Sequence, residues 1–175
     1  MDNPKAEVRP HPKFDRGVFA RERILKGEEI ASFDGEEYIG YYDHELPPEV
    51  LNHGIMVAPT RVRNSRGFAR LINHSCNPNS GVKDLIRIVA MRDIEAGEEI
   101  LWDYEMAENA EWKMFCSCGE PNCRHVLLGY RYLPQEFRDR YAGYISDYLL
   151  EEDIPVLQVP ESALENHPDF ANAPS

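Results

Sequence analysis

The stretch 70-RLINHSCNPNS-80 decides how the rest of the sequence is interpreted. It places His74 and Cys76 two residues apart, among three asparagines and a proline. This composition fits a cluster of metal ligands, a Cys–His pair for nucleophilic catalysis, or a turn rich in asparagine. The sequence on either side has to distinguish these three structures.

The other cysteines of the chain point to a metal site. Three of them fall in the segment CSCGEPNC, as Cys116, Cys118 and Cys123. Thiolates with this spacing can occupy one side of a tetrahedral Zn²⁺, which then needs a fourth ligand. We favour Cys76 as that ligand, over His74 or His125, and it would join the opening stretch to the later segment. A thiol hydrolase built on His74 and Cys76 is disfavoured, because no carboxylate that could orient the histidine is evident.

The composition is that of a soluble domain with an acidic charge balance. Of 175 residues, 31 are acidic and 19 are basic, which gives a formal net charge of −12. This excess disfavours duplex nucleic acid, which needs basic patches, and favours a basic partner such as a Lys-rich peptide. The sequence contains no run of about 18 apolar residues, so it predicts no membrane helix. The N-terminus lacks the apolar region of a signal peptide. We therefore expect one intracellular domain without direct contact with membrane or nucleic acid.

The pattern along the chain predicts a mainly β fold with a C-terminal helix. VFARERILKGEEI (18–30) and IVAMRDIEAGEEI (88–100) each predict a strand, a glycine turn and a second strand. We interpret this echo as shared turn chemistry. An apolar stripe at helical spacing predicts one helix over 133–152, packed on the domain. The stripe consists of Phe137, Tyr141, Tyr144, Ile145, Tyr148 and Leu149. We expect residues 1–12 to form a leading arm and residues 153–175 a loosely ordered tail.

Four segments resemble motifs of the SET-domain family of protein-lysine methyltransferases. They are RGVFARERILKGEEI (16–30), GFARLINHSCNPN (67–79), DIEAGEEILWDY (93–104) and CSCGEPNCR (116–124). The resemblance covers roughly Phe14 to Tyr132, with the motifs in the family's order. Two departures replace glycines that the family often has: Asp15 stands first in a Gly-x-Gly, and His125 follows Arg124. A Cys-rich pre-SET segment is missing as well, which argues against the subgroup that carries one.

The resemblance implies the SET β-clip fold, in which the segments carrying NHSC and LWDY thread past each other as a pseudoknot. The implied organisation is a SET domain over 13–104, a linker over 105–115 and a post-SET zinc segment over 116–132. S-adenosylmethionine would bind on one face, and the substrate lysine would enter from the opposite face through a narrow channel. The partner would be a Lys-rich protein or peptide, such as a histone.

The resemblance also assigns residues to these sites. The cofactor-binding residues would be Arg16, Gly17, Val18, Asn73 and His74. The ligands of one structural Zn²⁺ would be Cys76, Cys116, Cys118 and Cys123. Tyr104 would be the catalytic tyrosine, and Leu127 and Leu128 would cover the cofactor or the channel. Trp102 occupies a position that tunes the number of methyl groups in the family, where Phe or Tyr is usual. We expect the larger Trp to restrict the reaction to low-order methylation.

Three functions are compatible with these motifs. An active lysine methyltransferase is favoured, because Asn73, His74 and Tyr104 are all present. A non-catalytic SET module would instead bind a basic peptide or a partner protein through the same groove. A zinc-stabilised interaction domain would bind no cofactor. The acidic segment GEEY (35–38), with Tyr41 and Tyr42, is the expected lining of a groove for a basic substrate.

Overall fold

The fold is mainly β, as the sequence predicts. The computed structural model describes residues 2–40 and 46–165, and within them three of four small sheets share one hydrophobic core with short helices, while the fourth sheet, which is the last along the chain, packs around the cysteines. The predicted groove residues Tyr41 and Tyr42, and the tail beyond residue 165, lie outside the described residues. None of the described helices is both long enough and apolar enough to cross a bilayer.

The strands are short and are distributed along most of the chain. They are β1 (Ala6–His11), β2 (Asp15–Ala20), β3 (Glu29–Ser32), β4 (Glu37–Ile39), β5 (Ile55–Ala58), β6 (Arg61–Arg63), β7 (Asn73–His74), β8 (Ser80–Lys83), β9 (Arg87–Ala90), β10 (Glu99–Trp102), β11 (Met114–Phe115) and β12 (Val126–Leu127). The α-helices are α1 (Pro48–His53), α2 (Gln135–Arg140) and α3 (Asp147–Leu150). Single 3₁₀ turns span Ala69–Leu71, Tyr104–Met106, Tyr130–Tyr132 and Glu161–Leu164.

The sheet that positions the site has the strand order β1-β2-β10-β7. Its strand β10 is antiparallel to β2 and parallel to β7, so the second and third motif segments lie side by side. The Asn79 side chain reinforces this contact, since it donates to the Glu99 carbonyl at 2.8 Å and accepts from the Leu101 N–H at 2.9 Å. The remaining sheets are β3-β9-β8, β4-β6-β5 and β11-β12. The pseudoknot and the boundaries at 13–104, 105–115 and 116–132 stay predictions.

The prediction of a leading arm over residues 1–12 is wrong for most of that segment. Strand β1 pairs with β2 along its whole length, from Ala6 opposite Ala20 to His11 opposite Asp15. Pro10 does not prevent this, because β1 lies at an edge of the sheet and an edge strand tolerates a missing N–H. The N-terminal segment therefore carries His11 to the neighbourhood of the predicted cofactor residues.

The prediction of one helix over 133–152 is also wrong. The helix ends at Arg140, and a second helix starts at Asp147. Gly143 lies between them with φ of 81°, a left-handed conformation that interrupts a helix and that glycine adopts without steric cost. The predicted stripe still faces the core: its buried members are Phe137, Tyr141, Ile145, Tyr148 and Leu149.

The two echoing segments contact each other, beyond sharing turn chemistry. Ile24 and Ile94 exchange two backbone hydrogen bonds, each 2.9 Å long. Gly27 and Gly97 have φ of 85° and 90°, and each donates its N–H to a carbonyl of the other segment at 2.8 Å. Interpreting the echo as two independent turns is therefore incomplete, because the turns form a reciprocal pair.

Candidate active site and metal centre

The predicted cofactor residues meet where β2, β7 and β10 lie side by side. The Asn73 amide Nδ2 donates to the Arg16 carbonyl at 3.0 Å and to Glu99 Oε1 at 2.9 Å. A Cβ on Gly17 would lie 2.5 Å from the same carboxylate oxygen and 3.0 Å from Asn73 Nδ2, so a side chain there would require these groups to move. Val18 is fully buried in the core. Asp15, which replaces a family glycine, has φ of 65°, a conformation that Asp tolerates better than most residues.

Two residues near this group were missed in the sequence. Glu99 bonds Asn73, and His11 Nε2 lies 3.4 Å from Glu99 Oε2. Glu99 belongs to the quoted motif DIEAGEEILWDY, so a signal for it was present, although the motif alone does not give the direction of its side chain. His11 had no such signal, because its position depends on the pairing of β1 with β2.

His74 is a buried, neutral connector between Tyr104 and the cysteines. Its Nδ1 accepts the backbone N–H of Tyr104 at 3.3 Å, and its Nε2 lies 3.5 Å from Cys76 Sγ. Burial lowers the pKa of His74 to about 4, although Asp103 opposes the shift. At neutral pH the ring therefore carries no charge and can hold the Tyr104 backbone as an acceptor.

Tyr104 is a protonated tyrosine beside Trp102. Its hydroxyl donates to the Ile72 carbonyl at 3.2 Å, and its ring centroid lies 5.1 Å from that of Trp102. Removal of the hydroxyl from water, and then the charge of Glu99, raise the pKa of Tyr104 well above its usual value. This tyrosine can orient a partner by hydrogen bonding, but it is a poor base.

An aromatic cavity of about 310 Å³ opens beside these two rings. Its aromatic lining residues are Phe33, Trp102, Tyr104 and Trp112. Charged side chains also line the cavity, among them Glu108, Arg70 and Lys113. Tyr104 lies in the wall of this cavity, and its role as the channel for a substrate lysine stays a prediction.

The four cysteines come together in one cluster, in which all sulfur atoms lie within 4.8 Å of one another. Cys116 Sγ is 3.9 Å from Cys76 Sγ and 3.7 Å from Cys123 Sγ. Zn–S bonds of about 2.3 Å in a tetrahedron separate the sulfurs by about 3.8 Å, so the spacing fits zinc. His125 contacts the cluster through its backbone carbonyl, which accepts the Cys116 N–H at 2.7 Å. The geometry thus favours four cysteines over the alternative with His125.

A buried ionic network joins this cluster to the residues on both sides of Tyr104. Arg124 Nη2 donates to both carboxylate oxygens of Asp103, at 2.8 and 2.7 Å, and lies 2.9 Å from Glu105 Oε2. Glu105 Oε1 accepts the backbone N–H groups of Leu128 and Gly129 at 2.8 and 2.9 Å. Asp103 and Glu105 are almost inaccessible to solvent. The segment after the cysteines therefore holds the turn that carries Tyr104.

The predicted covering residues lie close to this network. Leu127 is fully buried and packs against the cluster of cysteines. Leu128 is partly exposed, and its backbone N–H bonds Glu105. Their role as a cover over the cofactor or the channel stays a prediction.

Comparisons with known proteins agree on one family. The SET domain family model matches residues 15–105. A histone-lysine N-methyltransferase, H3 lysine-4 specific, of Candida albicans is 43% identical over 132 residues, which are 63% of this chain and 12% of the relative. An H3 lysine-36 specific counterpart of Aspergillus oryzae is 34% identical over 136 residues, which are 71% of this chain and 13% of the relative. The chain thus spans only a small part of the length of these relatives.

Solved structures support the same fold. The crystal structure of KRYPTONITE in complex with mCHG DNA and SAH has a TM-score of 0.55 and 23% sequence identity, over 69% of this chain and 28% of that chain. A second KRYPTONITE structure, with mCHH DNA, an H3(1-15) peptide and SAH, has a TM-score of 0.54. At this level of identity, the likeness concerns the fold.

Proposed function

The chain belongs to the SET-domain family, and from that premise we propose that it transfers a methyl group from S-adenosylmethionine to the side-chain amine of a protein lysine. The observation that carries the proposal is the position of Tyr104. It lines the aromatic cavity, and its backbone is held by His74, next to Asn73. Relatives named as histone-lysine N-methyltransferases support the same activity.

The residues at the β2–β7–β10 junction fit the cofactor. Gly17 carries no side chain, which allows close approach to its backbone, and Glu99 Oε1 already lies 2.5 Å from where a Cβ would stand. The Arg16 carbonyl and the Asn73 amide lie together beside it and would contact S-adenosylmethionine. When bound, this group supplies a methyl on a positively charged sulfur. The two KRYPTONITE structures were solved with SAH, the demethylated form of this group.

The chain's own part in the reaction is to neutralise, desolvate and align the lysine. Free lysine has a pKa near 10.4, and only its neutral amine is a nucleophile. The walls formed by Phe33, Trp102 and Trp112 disfavour the ammonium form and lower that pKa. Tyr104, which keeps its own proton, would orient the amine while the displaced proton passes to water. Alignment of this kind can remove about 7–11 kcal/mol from a barrier.

We propose a single Zn²⁺ in the cysteine cluster, with a structural role. The sulfur spacing fits tetrahedral coordination, and four thiolates leave no position open for a reacting water. A hydrogen bond with the Cys116 thiol, and then burial, raise the pKa of Cys76. A bound cation would reverse this preference, because it stabilises thiolates. Through Arg124, the metal segment would hold the turn of Tyr104.

The proposed substrate class is a Lys-rich protein such as a histone. The net charge of −12 favours a basic partner, and the relatives carry names for H3 lysine-4 and H3 lysine-36. A histone substrate implies an intracellular protein. Direct binding of nucleic acid is not expected from the charge, although the KRYPTONITE complexes contain DNA.

The proposal is tested by labelled-methyl transfer to core histones with the zinc-loaded protein. Replacing Tyr104 with Phe removes a positioned hydroxyl and should lower the rate by roughly 10²-fold or more. Tyr132→Phe, outside the site, is the matched control and should retain activity. Undiminished transfer by Y104F would overturn the mechanism. Binding of S-adenosylmethionine without any transfer favours the non-catalytic module, and absence of binding in calorimetry favours the zinc-stabilised interaction domain.

A further inference from the structure

We propose that Glu99 makes the site discriminate by charge, so that it binds the cationic methyl donor more tightly than the neutral-sulfur product. The inference rests on the proposed methyltransferase function and extends it to a residue without an assigned role. Its basis is the placement of one carboxylate against Gly17 and Asn73, two residues at which the cofactor is expected to bind.

Glu99 is directed into the site by its position at the start of β10. The strand pairs there with β2, with Glu99 opposite Phe19. The Asn73 amide holds one carboxylate oxygen at 2.9 Å. The same oxygen lies 2.5 Å from where a Cβ on Gly17 would be, so the carboxylate sits directly against the glycine backbone. The side chain is 18% exposed, which leaves it only partly screened by water.

The groups around this carboxylate leave its charge largely uncompensated. Asn73 is neutral, and Tyr104 keeps its proton. His11 Nε2 lies 3.4 Å from Oε2 and would form an ion pair with the carboxylate only when protonated. Among the residues that the structure describes, the ion pairs of Glu99 include no Lys or Arg. Glu98, by contrast, is paired with Arg92 at 2.9 Å.

The proposed reaction changes the charge that this carboxylate meets. The bond from sulfur to the methyl carbon breaks as the bond from the lysine nitrogen to that carbon forms. The electron pair of the broken bond returns to sulfur, which becomes a neutral thioether, and the amine's proton goes to solvent. Donor and product thus differ by one positive charge at sulfur. A carboxylate within several ångströms favours the charged form, by about ten-fold in affinity at a partly exposed site.

This preference has a consequence for turnover. A site that recognised only the shared adenosine and amino-acid parts would hold donor and product equally. Loss of the attraction to Glu99 would weaken binding of the product after transfer and ease its release. Glu99 therefore acts as a specificity-determining residue between two forms of the cofactor, and the effect is measurable by binding alone.

The test is isothermal calorimetry of the zinc-loaded protein with S-adenosylmethionine and, separately, with SAH. Glu99→Gln keeps an oxygen that can accept from Asn73 but removes the charge. It should weaken S-adenosylmethionine binding by about ten-fold and SAH binding by less than about two-fold. Glu98→Gln, which changes the net charge by the same amount, is the matched control and should leave both affinities unchanged. Glu99→Asp should preserve most of the preference.

Each outcome decides the inference. Equal losses for the two ligands in E99Q, or unchanged affinities, overturn the role of the charge while leaving the methyltransferase proposal intact. A wild-type protein that binds neither ligand overturns both. If E99Q is too unstable for calorimetry, the salt dependence of binding to the wild-type protein supplies the test. Raising the salt concentration should then reduce the preference for S-adenosylmethionine over SAH, because salt screens a partly exposed charge. A preference independent of salt contradicts the inference.

Discussion

At the scale of single residues, Trp102 limits the space beside Tyr104. It is 5% exposed, and its ring lies between those of Tyr104 and Phe33, with centroids 5.1 and 6.2 Å away. In the proposed reaction, the indole would fill volume that extra methyl groups on a lysine need. We keep the hypothesis that this residue restricts the reaction to low-order methylation.

Replacing Trp102 with Phe should shift the product toward higher methylation states, because the smaller ring enlarges the cavity beside the amine. The change should also lower the free energy of unfolding by about 1–3 kcal/mol through lost packing. Mass spectrometry of the methylated peptide, compared between wild type and W102F, measures the shift. Trp112→Phe alters the second tryptophan of the cavity and serves as control. Identical methyl distributions for wild type and W102F would show that Trp102 is not a product switch.

Residue-level prediction succeeded where a local motif fixes the chemistry. The four cysteines were identifiable because their spacing follows a recognisable motif, and the structure brings their thiols together, whereas the cofactor role of Asn73 stays a prediction. The contact between Glu99 and His11 was not predictable from the sequence, because it depends on two strand pairings, β1 with β2 and β2 with β10. His125 shows a further limit: it replaces a family glycine, yet the backbone keeps φ of 63° there. The residue type alone does not predict a backbone conformation that the surrounding structure imposes.

At the scale of elements, the short turn Tyr104–Met106 is held from both ends. Asp103 caps it by accepting the Glu105 N–H at 3.1 Å, and Arg124 binds both carboxylates. Burial, and then the charge of Asp103, raise the pKa of Glu105 to about 7, although Arg124 and two backbone N–H groups oppose the shift. The carboxylate is therefore more readily protonated in the folded chain than in the unfolded one.

Glu105→Gln should change how stability depends on pH. The unfolded chain loses this proton near pH 4.5 and the folded chain near pH 7, so the folded state binds the extra proton in between. The resulting stabilisation is complete below pH 4.5 and is lost as the pH rises to about 7, by up to about 3 kcal/mol. The advantage of wild type over E105Q should shrink accordingly. Denaturant unfolding of both proteins at pH 5 and pH 7.5 measures it.

The difference in unfolding free energy between wild type and E105Q cancels the pH-dependent contributions of other groups, including the cysteine cluster. Glu111→Gln, at an exposed position, should show a constant difference from wild type at the two pH values. If the difference between wild type and E105Q were also constant, Glu105 would be ionised in the folded protein over the whole range. Arg124 would then outweigh burial.

The elements also show why a periodic pattern can fail. Five of the six residues in the stripe from Phe137 to Leu149 are buried, all but Tyr144, yet the backbone leaves the helix after Arg140. A buried face constrains which side chains point inward, and a turn at Gly143 satisfies that constraint as well as a continuous helix does. In the same way, the N-terminal strand β1 has too little apolar character to be recognised alone and forms because β2 offers it a partner edge.

At the scale of the whole molecule, the cysteine cluster closes a long loop of chain. Cys76 follows β7 in the central part of the fold, and Cys116 lies 40 residues later, yet their sulfurs are 3.9 Å apart. Around this contact, the Arg124 N–H lies 3.4 Å from Cys76 Sγ, and the Asn122 amide donates to the Cys76 carbonyl at 3.0 Å. One metal ion in this position would therefore hold the late segment on the central sheets.

Cys76→Ser should loosen the late segment while the sheets persist, because zinc binds the folded site and its binding free energy adds to stability. We expect loss of most bound zinc, a fall in Tm of roughly 10 °C, and faster hydrogen exchange over residues 112–132 than over β8 and β9. Zinc analysis, thermal melts and exchange measured by mass spectrometry test these effects, with His125→Asn as control. Because His125 contacts the cluster through its backbone carbonyl, H125N should keep its zinc. A C76S protein with full zinc and unchanged Tm would show that Cys76 is not a ligand, and zinc lost only in H125N would assign the fourth position to histidine.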